Sequence, residues 1–231
     1  METQPCASMV FLKNGENGLQ RGKSFIRMPE KRLLIVFVKN AILGTAKTRL
    51  AKTIGKEAAF DVYKHLMHIT EQATLGLNNC DVHIFFSSEK DPTRWTNYEQ
   101  FVQQGNDLGE RMSDAFRRGF EKGYTQIVGV GSDLPDLTSE IIEKGLDELS
   151  SNDAVFGPAE DGGYYLIGMR SMIDCIFEDK PWSTEDLLTI TLEDLKQSGF
   201  SVGLIETLND VDTEEDLMNS SLKDWYIDNL A

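Results

Sequence analysis

The chain has 231 residues, 40% of them hydrophobic and 26% charged, enough for one α/β domain with a substantial core and too few for two comfortable ones. A formal net charge of −15 argues against nucleic acid or an anionic membrane surface as a partner, since both would repel it. The longest apolar run, Leu33 to Val38, falls far short of the roughly 20 residues that a membrane helix needs.

Met1 to Glu30 shows no sustained period and is rich in Gly, Asn and Lys, so residues 1–30 are expected to form an extension or loosely packed arm. They contain no apolar h-region, and no secretory signal is expected. Leu33–Val38 is a continuous apolar run, the pattern of a strand buried on both faces of a parallel sheet. A loop with Gly44 follows, then a helix near Glu57 to Leu75 with Ala59, Val62, Tyr63, Leu66, Ile69 and Ala73 on one face. Val82–Phe86 reads as the second strand and Ser87 to Asn97 as a loop. Leu108, Met112, Ala115, Phe116 and Phe120 make the stripe of the next helix. Gln126–Val130 is the third strand, and Ile141, Ile142, Leu146 and Leu149 mark the helix after it.

Strand–helix alternation at this spacing predicts right-handed βαβ units and a parallel sheet. The rhythm then changes. Ala154–Phe156 and Tyr164–Ile167 are two strands separated by a glycine-rich turn, and Ser183-Thr184-Glu185-Asp186 is expected to open a helix running to about Gln197. Val202–Ile205 is a last short strand and Thr213 to Met218 a final helical turn, leaving residues 31–220 as one domain and 221–231 as a C-terminal tail.

Cys6, Cys80 and Cys175 are widely spaced and contain no C-x-x-C, which points away from zinc and from a disulfide framework and toward a reduced, cytoplasmic compartment. The charge is unevenly spread. Ten basic residues against one acid lie between Arg21 and Lys56, and seven acids against one base lie from Thr207 to the end. A basic segment in an acidic protein suits a small anionic ligand, although a solvated face has the same composition.

The stretch Gln126 to Leu137 ends its strand by delivering Ser132 and Asp133 just before Pro135, which cannot donate to a ladder. Ligands of open α/β sheets bind beyond the carboxyl ends of strands, and a carboxylate there is well sited to hold a divalent metal against phosphate. A carboxylate that merely tidies the strand-to-helix turn fits the same stretch. In the loop after the first strand, Lys47-Thr48 resembles a P-loop, but Ala46 stands where that motif needs glycine, and there is no G-x-G-x-x-G. What remains is Lys39, Lys47 and Arg49 around Gly44, a mobile pair of point charges and a bidentate fork suited to a diphosphate.

Between the later strands, Gly157-Pro158-Ala159-Glu160-Asp161-Gly162-Gly163 reads either as a hairpin turn or as a glycine-cleared space to which Glu160 and Asp161 present carboxylates. In Asn209 to Leu217, Asp212 with Glu215 has the spacing of a helix N-cap; alternatively Asp210 or Asp212 supplies a second carboxylate to the metal of Asp133, since hard cations want several oxygens. His65 and His68 lack a third ligand, and no G-x-S-x-G or Cys/His nucleophile stands out, so covalent catalysis is not expected.

Phe37-Val38-Lys39 with Gly44 and Lys47-Thr48-Arg49-Leu50, then Asp107 to Met112, Gly131-Ser132-Asp133-Leu134-Pro135, Gly157 to Tyr165, Pro181-Trp182-Ser183-Thr184 and Asp210-Val211-Asp212-Thr213, occur in this order. Together they resemble the bacterial radical-SAM/selenodomain-associated transferase family, the glycosyltransferases of arsenosugar-biosynthesis type in the nucleotide-diphospho-sugar transferase superfamily. The likeness covers roughly Leu33 to Leu217; residues 1–30 have no counterpart, and Ala41 and Leu43 stand where the family usually has prolines.

The resemblance implies a single-domain GT-A (Rossmann-like) α/β fold with a mostly parallel sheet. It implies Lys39, Gly44, Lys47, Arg49 and Ser132 at the phosphates of a nucleotide. Asp133 and Asp212 would meet Mg²⁺ or Mn²⁺. A donor-sugar and acceptor pocket would be formed by Gly157, Pro158, Gly162, Gly163 and Tyr164, with Asp161, or its neighbour Glu160, as general base. The expected partners are a nucleotide sugar, or an NTP if the reaction is nucleotidyl transfer with pyrophosphate release, and a small-molecule acceptor. A non-catalytic nucleotide-sugar-binding protein is the remaining alternative.

Overall fold

A computed structural model of the chain describes residues 30–230; the predicted arm at 1–30 lies, but for Glu30, outside them. In chain order the elements are β1 (Arg32–Val38), α1 (Ala51–Ile54), α2 (Lys56–Leu75), β2 (Cys80–Phe86), β3 (Glu99–Val102), α3 (Leu108–Glu121) and β4 (Gln126–Val130). They continue with α4 (Ser139–Glu148), β5 (Ala154–Pro158), β6 (Tyr164–Met169), α5 (Leu187–Gln197), β7 (Val202–Leu204), α6 (Glu214–Asn219) and α7 (Lys223–Asn229).

The seven strands form one sheet in the order β3-β2-β1-β4-β6-β5-β7. All neighbours are parallel except β6, which runs antiparallel to both β4 and β5. This is an α/β architecture with a mostly parallel sheet flanked by helices, as the strand–helix alternation predicts.

The apolar run of β1 is buried from Leu33 to Val36 because helices cover both faces. On one face α2 and α4 bring Tyr63, Met67, Ile142 and Leu146 against Leu34, Val36 and Val128. On the other, α3 and α5 bring Met112, Phe116 and Leu195 against Leu33, Ile35 and Ile127. The sheet grows from β1 toward β2 and β3, then returns through α3 to place β4 on β1's other side. The carboxyl ends of β1 and β4 therefore flank a topological switch point, where the connecting loops splay apart and leave a crevice.

Four features differ from the sequence reading. Glu99–Val102 forms an edge strand that its polar flanks conceal. Ser183 does not open a helix: it takes a left-handed backbone (φ 64), and α5 starts only at Leu187 with no side-chain cap. The cap of α6 is Thr213, whose hydroxyl accepts from Asp216 N–H while Asp216 accepts from Thr213 N–H, so Asp212 is released from the capping role that its spacing with Glu215 allows. Finally, residues 221–230 are more than a tail. Leu222 and Tyr226 of the α6–α7 end join Leu50, Val62 and Leu66 in a third apolar cluster beneath α1 and α2.

Candidate active site

The loop after β1 is tied down at its start. Asn40 accepts from Ser87 Oγ and Ser88 N–H at 3.1 and 2.9 Å and donates to the Glu89 carbonyl at 2.7 Å, fastening it to the loop after β2. Its far end is anchored by Leu50, fully buried in the third cluster. Between these anchors Gly44 turns the chain with φ 81, and Lys47 sits at φ 49, a left-handed conformation that costs a non-glycine residue about 1–2 kcal/mol. Strain of this kind persists where the surroundings hold it, and here they hold the side chain too.

Lys47 is nearly inaccessible, its side chain 5% exposed, and its ammonium donates to Asp133 Oδ2 at 3.0 Å and Asp212 Oδ1 at 2.8 Å. Burial alone would lower the lysine's pKa, but the two carboxylates outweigh it and hold the ammonium protonated well above the ordinary lysine value. Arg49, mostly exposed, approaches the other Asp212 oxygen at 3.6 Å.

Asp133 comes three residues after the end of β4, beyond Gly131 and Ser132. A Cβ on Gly131 would lie 2.9 Å from Asp133 Oδ1, so the absence of a side chain at Gly131 leaves the carboxylate its place. The 208–212 segment is brought alongside by Leu208 N–H to the Pro158 carbonyl at 3.1 Å and Val211 N–H to the Asp133 carbonyl at 3.4 Å. Val211 is fully buried with Leu50, which presents its neighbours Asp210 and Asp212 to the crevice.

One carboxylate oxygen from each of Asp133, Asp210 and Asp212 lies within 4.8 Å of the others. Burial, and then the Asp133 charge, push the Asp210 carboxyl up to about 6. Burial works against the Asp212 carboxylate as well, but Lys47 prevails and holds its pKa below the usual range. Three convergent carboxylates of which one resists ionisation form an oxygen donor set short of positive charge, which fits a hard divalent cation.

Two cavities meet at Asp133. The first, about 220 Å³, is lined by Phe37, Lys39, Lys47, Ser132, Asp133 and Asp212, with Tyr63 at its floor. Tyr63 donates to the Lys39 carbonyl at 2.7 Å and shares a 3.2 Å hydrogen bond with Ser132 Oγ; burial pushes its phenol up to about 12. The second, about 210 Å³, lies between the start of α3, the β5–β6 hairpin and the 183–187 segment, with Asp133, Asp161 and Asp210 among its walls.

Of the residues expected from sequence, Lys39, Lys47, Ser132, Asp133 and Asp212 line the first cavity, with Arg49 and Gly44 in its loop. Asp161, Gly163 and Tyr164 line the second. Glu160 does not join them. It faces a separate depression with Asp136 and Asp216, because the hairpin turn sends successive side chains to opposite sides.

Gly157 and Pro158 also stay out of both cavities, and two of the three turn glycines clear room for protein rather than ligand. A Cβ on Gly157 would lie 2.4 Å from the Tyr165 ring, and one on Gly162, at φ 87, 2.0 Å from the Glu185 carbonyl. Tyr63 was legible only as a core position of α2. Asp210, one of the two carboxylates offered by sequence as a partner for Asp133, joins the cluster together with Asp212 rather than instead of it, and Leu108 reads only as part of a helical stripe.

Residues 70–184 match the model of a family described as uncharacterized proteins conserved in bacteria (DUF2064). Over 87% of its length the chain is 32% identical to a protein from Desulfovibrio desulfuricans G20 provisionally described as a nucleotide-diphospho-sugar transferase, with a TM-score of 0.77 and 95% of that protein covered. The fold is that of a nucleotide-diphospho-sugar transferase superfamily member. At this identity and coverage the chain belongs to the same family as the Desulfovibrio protein.

Its fold is shared more distantly with CMP:2-keto-3-deoxy-manno-octonic acid synthetase complexed with CTP, at 10% identity and a TM-score of 0.52 over 86% of this chain and 100% of that one. It is shared also with the inositol-1-phosphate CTP transferase of T. maritima, at 14% identity and 0.51 over 87% and 98%. No curated protein matches the sequence. Among the described residues no helix is long and apolar enough to cross a membrane.

Proposed function

We propose that the protein is a metal-dependent glycosyltransferase of GT-A type, which takes a nucleotide-diphospho-sugar as donor and a small-molecule hydroxyl as acceptor in the cytoplasm. The observation that carries this reading is the Lys47 ammonium fixed between Asp133 and Asp212 at the switch point, beside a cavity that also presents Lys39 and Ser132. In it, the donor's diphosphate lies against Lys39, Lys47, Arg49 and the Ser132 hydroxyl. Asp133 and Asp212 hold the Lys47 pKa above the ordinary lysine value, so its ammonium is a cation at neutral pH. Asp133, Asp210 and Asp212 would hold Mg²⁺ or Mn²⁺, which when bound neutralises charge on the departing diphosphate.

Asp161, across the second cavity, receives the proton of the acceptor hydroxyl. The acceptor oxygen bonds to the anomeric carbon as the bond from that carbon to the diphosphate oxygen breaks, and a nucleoside diphosphate leaves. Asp161 suits this role better than Glu160, which faces away.

The same lysine and aspartates also serve attack on an NTP's α-phosphorus with pyrophosphate leaving, so nucleotidyl transfer is the second reading. Product analysis separates them. Incubated with nucleotide sugars, NTPs and candidate acceptors in Mn²⁺, the protein is expected to release nucleoside diphosphate from a sugar donor. Pyrophosphate release would replace the first reading by the second, and turnover of no donor, even by hydrolysis, would leave a binding protein.

A further inference from the structure

The Lys47 ammonium lies where a metal ion on Asp133 and Asp212 has to compete with it. It donates to Asp133 Oδ2 at 3.0 Å and to Asp212 Oδ1 at 2.8 Å, and the other Asp212 oxygen has the Arg49 guanidinium at 3.6 Å. Two of the three carboxylates that the proposed donor site assigns to Mg²⁺ or Mn²⁺ are therefore already engaged by side-chain cations. A hydrogen-bonded ammonium and a hard metal ion draw on the lone pairs of the same oxygens. At such spacing their like charges also repel.

Lys47 has a second place to go. Its side chain is only 5% exposed, yet it lines the first cavity, about 220 Å³, together with Lys39 and Ser132. The left-handed backbone at Lys47 and the buried Leu50 fix where the side chain starts. Beyond that start, lysine is a flexible four-carbon stem carrying a point charge, and turning the stem redirects the ammonium while the loop stays held.

We propose that Lys47 is a resident counter-cation that keeps Asp133 and Asp212 from a divalent ion until a nucleotide arrives. Without nucleotide, the ammonium holds the two carboxylates and a metal ion alone binds weakly. A diphosphate in the first cavity offers the ammonium other anionic oxygens, so Lys47 turns to them and releases the aspartates. Metal and nucleotide then strengthen each other's binding by the same factor, through one side chain. The proposal rests on the donor-site reading for the diphosphate, whereas the competition between Lys47 and a metal ion rests on the lysine–carboxylate geometry alone.

Calorimetric titration of the full chain with Mn²⁺ and no nucleotide compares wild type with Lys47→Gln and Lys47→Ala. Both variants are expected to bind Mn²⁺ at least about tenfold tighter than wild type. Loss of the ammonium leaves the carboxylates uncompensated, so each variant should melt below wild type in EDTA and recover more than wild type does in Mn²⁺. Propylammonium chloride, refilling the place of the lost side chain, should weaken Mn²⁺ binding to Lys47→Ala several-fold more than tetramethylammonium chloride at equal ionic strength. At least one of UDP, GDP, CDP and ADP should tighten Mn²⁺ binding to wild type, after correction for Mn²⁺ held by free nucleotide, and by a smaller factor in Lys47→Gln.

Should neither variant fold, NMR of the labelled wild type decides. The Lys47 ammonium nitrogen is expected to show scalar couplings to the Asp133 and Asp212 carboxylate carbons in EDTA and to lose them when Mg²⁺ and the nucleotide saturate the site. Mn²⁺ affinity that is unchanged or lower in the variants overturns the proposal, as does an absent propylammonium effect or an ammonium still coupled to both aspartates in the saturated complex. Failure of every nucleoside diphosphate to bind with Mn²⁺ contradicts the donor-site reading instead, and the Mn²⁺ titrations made without nucleotide still decide this one.

Discussion

Asp210 shows how single side chains are tuned against one another in the crevice. Its folded pKa of about 6 lies above the ordinary carboxyl value, so the metal-free folded state holds a proton that the unfolded chain releases. Below pH 4 both states carry that proton and the residue imposes no penalty. As pH rises through 6 the folded protein must accept a third carboxylate beside Asp133 and Asp212, and stability is lost.

Asp210→Asn should therefore raise the melting temperature in EDTA at pH 7.5, by an amount corresponding to about 1–3 kcal/mol, with the advantage shrinking toward pH 5. Mn²⁺ should reverse the ranking, since the wild-type carboxylate then has a counter-cation, and wild-type metal affinity should fall as pH drops below about 6. A variant less stable than wild type in EDTA at pH 7.5 would show that Asp210 is not strained by its neighbours. The sequence makes Lys47, Asp133 and Asp212 legible through charge type at strand ends. It leaves Asp210 only an alternative to Asp212 and conceals Tyr63, because their roles depend on which distant segment packs beside them.

At the scale of elements, the site hangs on short pieces that periodicity reads poorly. The 20-residue α2 and the apolar β1 announce themselves, whereas α1 has 4 residues, β3 has 4 and α6 has 6, too few to show a period. The Ser183 turn mimics a capping box in sequence, but the close contact of Gly162 with Glu185 and the Leu188 N–H bond to the Gly162 carbonyl at 3.0 Å pin the segment in a form that delays α5.

The α7 helix matters most for the crevice. Leu222 and Tyr226 pack with Leu50 and Val211, the two apolar residues that carry Arg49 and Asp212 as neighbours. Deleting residues 221–231 should thus cost about 3–6 kcal/mol from two buried side chains, seen as a lower melting temperature, and should weaken nucleotide binding as the anchors loosen. Unchanged stability would mean that the C-terminal segment is a tail after all.

For the whole molecule, topology does what no local motif could. The order β3-β2-β1-β4 sets the ends of β1 and β4 side by side, and the 208–212 segment crosses the same edge after β5 and β6 have been laid down. A chain of net charge −15 thereby collects buried positive charge at one crevice and carboxylates around it. The fold class was legible because a parallel sheet requires alternating strands and helices. The meeting of residues 133 and 212 was legible only as one of two open readings of the 209–217 stretch, which family likeness then favoured, since contacts across so much sequence have no periodic trace.

The most direct measurement is the dissociation constant for nucleoside diphosphates and nucleotide sugars, by calorimetry with Mn²⁺ and with EDTA, for the wild type and for Asp133→Asn. The account predicts tight binding only for wild type with Mn²⁺, a loss of at least about tenfold on chelation or substitution, and unchanged folding of the variant by circular dichroism. Equal affinity in all four conditions would contradict it.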